Sequence, residues 1–276
     1  MRRIGDAPAT RAILITLATL LTTLFLVVPL ASIFYQAFAE GLAPFWHNLS
    51  DQYTRQAIML TLLIALVTVP VNLVFGVFLA WLVTRFSFPG RRLLQTFIDI
   101  PFAVSPVVAG LLYLLLYGRT GWLGSLLSEA DVQLMFAWPG MVLVTIFVTC
   151  PFVARELIPL MQAQGSADEE AAVTLGAGGW TLFRRVTLPK IRWALVYGVI
   201  LTNARAIGEY GAVAMVSGTI RGETVTLPLQ VELLYQDYNT VGAFTSAALL
   251  AAIAVVTLVV KGVLEWHTQR RGKRHA

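Results

Sequence analysis

The 276-residue chain is poor in charge. Only 13% of it is Asp, Glu, Lys or Arg, about half the share usual in soluble domains. A water-soluble fold of this length needs more polar surface than that. Cysteine is almost missing. Cys150 stands alone, so no intrachain disulfide can form, and its apolar surroundings in the chain read as those of a small buried hydrophobe. The three histidines, His47, His267 and His275, have no metal-ligand spacing to one another or to Cys150. A Gly-x4-Gly-Lys-Ser/Thr phosphate loop is absent. Gly176, Gly178 and Gly179 cluster, but no lysine follows them and no strand precedes them. The chain is therefore not expected to hydrolyse ATP. No Ser-His-Asp or Cys-His arrangement points to an enzyme.

What is present is long apolar runs. Hydrophobic residues make up 57% of the chain, with a mean hydropathy of +0.74. Six runs, near 12–38, 57–84, 93–117, 134–160, 192–217 and 240–262, are long enough to cross a bilayer as helices. The expected fold is an all-α membrane protein of six transmembrane helices. Ala37-Phe38-Ala39 looks like a signal-peptide cleavage site, but the apolar stretch before it is too long, so an uncleaved anchor is expected. The chain divides into 1–56 (tail, first helix and outer loop), a transmembrane unit over 57–262, and a basic tail over 263–276.

Six crossings put both ends on one side, and the distribution of positive charge chooses it. Arg2, Arg3, Arg11, Arg85, Arg91, Arg92, Arg155, Arg184, Arg185, Lys190, Arg192, Lys261, Arg270, Arg271, Lys273 and Arg274 share one face. Only Arg55, Arg119 and Arg221 lie on the other, with an excess of acids. Both termini are expected in the cytoplasm of a bacterial cell, the chain being multi-pass in its inner membrane. Orientation and anionic headgroups account for the bases without nucleic acid.

The longest internal cytoplasmic loop, 166–190, reads SADEEAAVTLGAGGWTLFRRVTLPK. Ser166 followed by Glu169 suggests a capping box, with Asp168, Glu169 and Glu170 in a first helical turn that favours anions. Gly176 can end that helix, and Gly178-Gly179 can bend the chain. A second short helix over 180–186 is expected to stop at Leu188-Pro189. The product is an elbow that offers Trp180, Leu182 and Phe183 to water. A plain connector has no use for them, and docking to another protein does.

The spacing Glu170-Ala171-Ala172, three residues, Gly176, nine residues, Val186, one residue, Leu188-Pro189 resembles the signature loop of permease subunits of ATP-binding-cassette importers. The single departure is Val186, where that pattern has Ile. Further stretches at 69–91, 99–110, 138–159 and 203–224 are similar to the sulfate/thiosulfate importer permeases, nearest to their W-type subunits. These belong to the binding-protein-dependent inner-membrane component family. Molybdate permeases are close relatives. The resemblance implies a type I (MetI-like) importer fold in which the elbow is a coupling helix. It implies that Glu170, Ala171, Ala172, Gly176, Leu188 and Pro189 serve the ATPase contact. It further implies a heterodimer with a T-type permease, two copies of an ABC ATPase that carries ATP-Mg, and a periplasmic sulfate/thiosulfate-binding protein. This chain itself is expected to bind no cofactor.

Charges inside a bilayer are costly, and three residues fall there: Asp99, Arg205 and Glu209. Arg205 is 13 residues beyond Arg192, about 20 Å along a helix, and Glu209 is one turn further on the same face. Either the two form a structural pair, or Arg205 faces the pathway and offers donors to an oxyanion. Asp99 lies about 10 Å too shallow to meet Arg205. Asn203 can hydrogen-bond to a neighbouring helix. Pro101 and Pro106 leave open a packed kink or a kinked pathway wall. An ion-coupled transporter or a membrane anchor are the rival classes. The first would carry more intramembrane acids, and the second has no need of Arg205. On the outer face, 217–224 offers backbone donors and an Arg221–Glu223 couple.

Overall fold

The computed structural model describes residues 8–272, with side chains over 10–264. The basic tail residues Arg2, Arg3, Lys273 and Arg274 lie outside the described residues. Every regular element among those described is helical.

The first apolar run forms α1 (Pro8–Thr22), a π-helical turn (Thr23–Val27) and α2 (Val28–Ala37). A short α3 (Leu42–Ser50) leads to α4 (Gln52–Arg85). The Asp51 carboxylate accepts from the backbone N–H of Tyr53 (3.0 Å) and Thr54 (3.2 Å). That cap starts α4 well ahead of the apolar run at 57. Its 34 residues span about 51 Å, well beyond a hydrocarbon core of about 30 Å.

The third run is broken rather than kinked. α5 (Arg91–Ala103) and α6 (Pro106–Tyr117) meet at 106°. Pro106 disfavours helical geometry in the residue before it. Val104 (ψ 131°) and Ser105 (ψ 136°) are accordingly extended, whereas Pro101 is carried inside α5. After α7 (Gly124–Glu129), α8 (Trp138–Thr149) and α9 (Pro151–Gln164) join through Cys150 into one 27-residue helix. The elbow supplies α10 (Ala167–Thr174) and α11 (Gly179–Leu182), then a second π turn (Phe183–Thr187). α12 (Leu188–Ile207), α13 (Gly211–Ser217), α14 (Leu227–Gln236) and α15 (Thr240–Gly272) complete the chain.

Both π turns have one cause. Each immediately precedes a helix with proline at its second position, Pro29 or Pro189. A proline ring clashes with the carbonyl four residues back and has no N–H to offer it. Widening the turn relieves both problems: the N–H of Val28 reaches the carbonyl of Thr23, and that of Leu188 reaches Phe183. Leu188-Pro189 therefore does not stop the second elbow helix, as the sequence suggested. The helix runs through it into α12.

Among the described residues, four helices are long and apolar enough to cross a membrane: Thr10–Ala37, Gln52–Arg85, Trp138–Gln164 and Thr240–Leu264. The bent pair α5–α6 makes a fifth if it is one crossing. Six crossings are not confirmed. The run expected over 192–217 is split at 208–210, and α12 carries Lys190, Arg192 and Arg205, which dilute its apolar content.

The core is built by close helix approach. α4, α9 and α12 meet around Val153, and a Cβ on Gly76 would sit 2.6 Å from the Cβ of Val153. One on Gly198 would lie 3.2 Å from the Cα of Val153. Small residues let helix backbones touch where lipid gives no hydrophobic push. A second cluster, including Ile64, Ala109, Met141, Val144, Val213 and Leu229, joins α4, α6, α8, α13 and α14. Asn72 on α4 donates to the Thr149 hydroxyl on α8 at 2.6 Å, inside the protein. By contrast α1 is exposed along its apolar length, and α2 rests on α15.

Candidate functional site

The elbow presents two faces. Glu170, Ala171, Val173, Leu175, Gly176 and Trp180 are all exposed, and Trp180 is 73% so. Ala172 is half-buried. Gly176 has φ +84° and open space where a Cβ would be, while its N–H bonds the Val173 carbonyl at 2.9 Å. It ends α10 as its sequence position suggests. Trp180 stacks on Phe183 (ring centroids 6.0 Å), which in turn meets Trp81 of α4 at 5.8 Å. Leu188 and Pro189, expected at the end of the elbow, are instead the first turn of α12.

The capping box does not form. The Ser166 side chain caps no backbone N–H; its hydroxyl donates to Glu170 Oε1 at 2.5 Å. Glu169 turns inward instead. Its carboxylate pairs with Arg85, and Oε1 accepts from the Thr187 hydroxyl at 2.8 Å. A buried guanidinium one helix away outcompetes a local bond to an exposed N–H. Asp168 pairs with Lys190 at the surface. Sequence reasoning took Glu169 for a local cap and missed its bridge to Arg85 and Thr187. The one available signal was a doubled glutamate, of which only Glu170 fits the signature spacing.

The break in the third run faces the break in the fifth. A Cβ on Gly211, the first residue of α13, would lie 3.3 Å from Pro106 and 3.2 Å from Val107, at the start of α6. A Cβ on Gly110 would meet the Ala212 carbonyl at 2.6 Å. Arg205 and Glu209 sit at this junction. Arg205 Nη1 lies 2.6 Å from Glu209 Oε2 without hydrogen-bond alignment, so the contact is ionic. Glu209 Oε1 accepts from the Ala212 N–H at 3.0 Å and so caps α13. The Glu209 side chain is 1% exposed and that of Arg205 33%. The acid is thus sealed, while the arginine that pairs with it is only half-buried.

Asp99 does not join them. It lies 3.5 Å from Arg155 of α9, with both side chains 57% exposed, and Arg155 stands 4.5 Å over the Phe102 ring. Asn203 is half-buried on α12 and makes no side-chain hydrogen bond among the described residues. In the loop over 217–224, Arg221 pairs with Asp237 of the loop after α14, not with Glu223. Thr219 N–H bonds Ser217 Oγ (3.1 Å) and Ile220 N–H bonds Thr224 Oγ1 (3.0 Å), so two of the loop's backbone donors are spent internally.

Broken helices meeting beside a half-buried, paired arginine, with a structured elbow on a π-turned helix, fit a helical membrane permease. A solved bacterial alginate ABC transporter, in complex with an alginate pentasaccharide-bound periplasmic protein, superimposes with a TM-score of 0.75. It covers 94% of each chain at 20% identity, and so shares the fold. Residues 72–273 match the family described as binding-protein-dependent transport system inner membrane component. The chain belongs to that family. The sulfate transport system permease protein CysW of Escherichia coli strain K12 is 64% identical over 261 residues, covering 95% of this chain and 90% of that protein. The protein of the same name in Synechococcus elongatus is 53% identical over 262 residues (95% and 92%). The CysT permease of E. coli is 34% identical over 256 residues (93% and 92%).

Proposed function

We propose that this chain is a permease subunit of an ATP-driven importer that carries sulfate and thiosulfate across the inner membrane by alternating access. The observation that carries this reading is the 64% identity to a sulfate permease across nearly the whole chain. A molybdate permease is not favoured, because the relatives matched over most of the chain are named for sulfate. The chain is not an enzyme. Hydrolysis belongs to a separate ATPase with its own ATP-Mg.

In this reading the chain pairs with a T-type permease, two ATPase copies seat on the two elbows, and a sulfate/thiosulfate-binding protein docks outside. Six crossings place both termini in the cytoplasm, with α5–α6 and α12–α13 as the two broken ones. Glu170, Ala171, Ala172 and Gly176 make the ATPase contact; Leu188 and Pro189 carry the movement into α12. The exposed Val173, Leu175 and Trp180 support such a contact, since an apolar patch on a charged elbow favours a protein partner. Arg205 offers donors to the passing dianion, and Glu209 keeps it from binding too tightly by neutralising part of its charge. Asn203 and the Asp99–Arg155 pair line the same route nearer the cytoplasm.

Uptake of labelled sulfate in cells lacking only this chain, with and without its return on a plasmid, tests the reading. Restored uptake that thiosulfate suppresses and molybdate barely affects is expected. Strong suppression by molybdate would move the chain to the molybdate class. Uptake that persists after removal of the ATPase would move it to the ion-coupled class.

A further inference from the structure

The outward face of the elbow is where the proposed ATPase contact lies; its inward face is held by a cluster that contact does not use. Glu169 spends both carboxylate oxygens on partners from other elements. One pairs with Arg85, the last residue of α4, and the other accepts from Thr187, the last residue of the second π turn. Arg85 also donates from Nη1 to the Met161 carbonyl of α9 at 3.1 Å. One side chain of α10 thus reaches the end of α4 and the turn that leads into α12, and through Arg85 it reaches α9. The cluster is largely buried: the side chains of Arg85 and Glu169 are 11% and 8% exposed, and Thr187 is buried.

The covalent connections of α10 are of the opposite kind. Gly165 (φ +66°) precedes it and Gly176 (φ +84°) follows it, with Gly178 and Gly179 beyond. None of these glycines has an atom within 4 Å of where a Cβ would be. Glycine in such open positions resists bending little. Force applied to α10 therefore meets a soft chain at both ends and a stiff side-chain bridge in the middle.

We infer that Glu169, with Arg85 and Thr187, is the positioning link that makes α4, α9 and α12 follow α10, so that a shift of the elbow reaches the glycine-packed contact at Val153 instead of dissipating in the glycine turns. The inference rests on the reading that the elbow seats on an ATPase. It adds a residue outside the signature spacing and assigns it transmission rather than docking.

The test uses the whole importer, purified and reconstituted in liposomes with its binding protein. Three quantities are read for each variant: ATPase retained on purification, ATP hydrolysed, and sulfate moved per ATP. Glu169→Gln leaves Arg85 uncompensated and can weaken folding, so the deciding variant is Arg85→Leu with Glu169→Leu. Replacing both members of a buried pair by apolar groups is commonly neutral for stability. The double variant is expected to hold its ATPase at wild-type yield and to hydrolyse ATP within about twofold of wild type. Sulfate moved per ATP should fall by about three- to tenfold, inside the range seen for residues that carry coupling between sites. Arg85→Lys, which keeps the charge, should retain most of the coupling. Wild-type sulfate per ATP in the double-leucine variant would overturn the inference, and so would loss of the ATPase from it, since the cluster would then serve docking or folding. Failure of the docking reading is seen separately, as wild-type chain that keeps no ATPase.

Discussion

Glu169 and Glu209 are both buried carboxylates paired with an arginine, and the two pairs differ in what is left over. At the elbow, Arg85 is nearly as buried as its partner and spends a further donor on the Met161 carbonyl. At the helix breaks, Glu209 is sealed and caps α13, but a third of Arg205 is exposed. An arginine that is paired but not sealed keeps donors that an anion can use. Equal chemistry thus makes a joint in one place and a candidate contact in the other. The difference comes from what packs around the arginine.

The largest effect that would break this comparison is at Arg205. Arg205→Ala should abolish sulfate uptake and also destabilise the chain by about 3 kcal/mol, because Glu209 is left buried and unpaired. Arg205→Ala with Glu209→Gln removes that charge and keeps an acceptor for the Ala212 N–H. Thermal unfolding in detergent should return close to wild type in the double variant, while uptake stays lost. Recovery of uptake together with stability would make Arg205–Glu209 a joint like the one at the elbow.

Gly176→Asp comes next. A non-glycine residue at φ +84° costs about 1–2 kcal/mol, and the new charge faces the proposed ATPase contact. Pull-down should show ATPase lost from membranes that still contain the chain. Retention at wild-type yield, with uptake intact, would remove the docking role of the elbow.

Gly76→Ala tests whether the joint has a stiff neighbour to push on. Its Cβ would fall 2.6 Å from that of Val153, an overlap that costs about 1–3 kcal/mol. Addition of Val153→Ala should recover a good part of that loss in the same unfolding assay. No loss in the single variant would show that α4 and α9 separate freely. The smallest effect is expected at Asp168→Asn. The Asp168–Lys190 pair is exposed on the acid's side, so stability should change by under about 1 kcal/mol, with uptake unchanged. A large change there would mean that surface pairs, not only Glu169, fasten the elbow.

Much of this arrangement was legible in the chain. Long apolar runs disclosed an all-helical membrane protein, and Gly176 ended α10 where its spacing suggested. The elbow was visible because Trp180, Leu182 and Phe183 have no use in a plain connector; Trp180 is exposed as expected, whereas Leu182 and Phe183 are half-buried. Other features depended on partners distant in sequence. Glu169 could be read as a local cap, since nothing near it announces Arg85, 84 positions earlier. Asp99 found Arg155, and Arg221 found Asp237, through helix packing that spacing does not encode. Leu188-Pro189 was misread as a stop, because a π turn can absorb a proline that an α turn cannot. Pro106 was seen as a kink, while two extended residues before it turn the chain by 106°. The junction of α6 with α13 became visible only once Gly211 was found against Pro106.

The most direct test of the account is sulfate movement by the complete importer in liposomes, with labelled sulfate and binding protein on one side and ATP supplied to the ATPase face on the other. The account predicts uptake that needs ATP, needs this chain, is competed by thiosulfate far better than by molybdate, and is lost in Arg205→Ala with Glu209→Gln. Uptake that proceeds without ATP, or that is unchanged in that double variant, would contradict it.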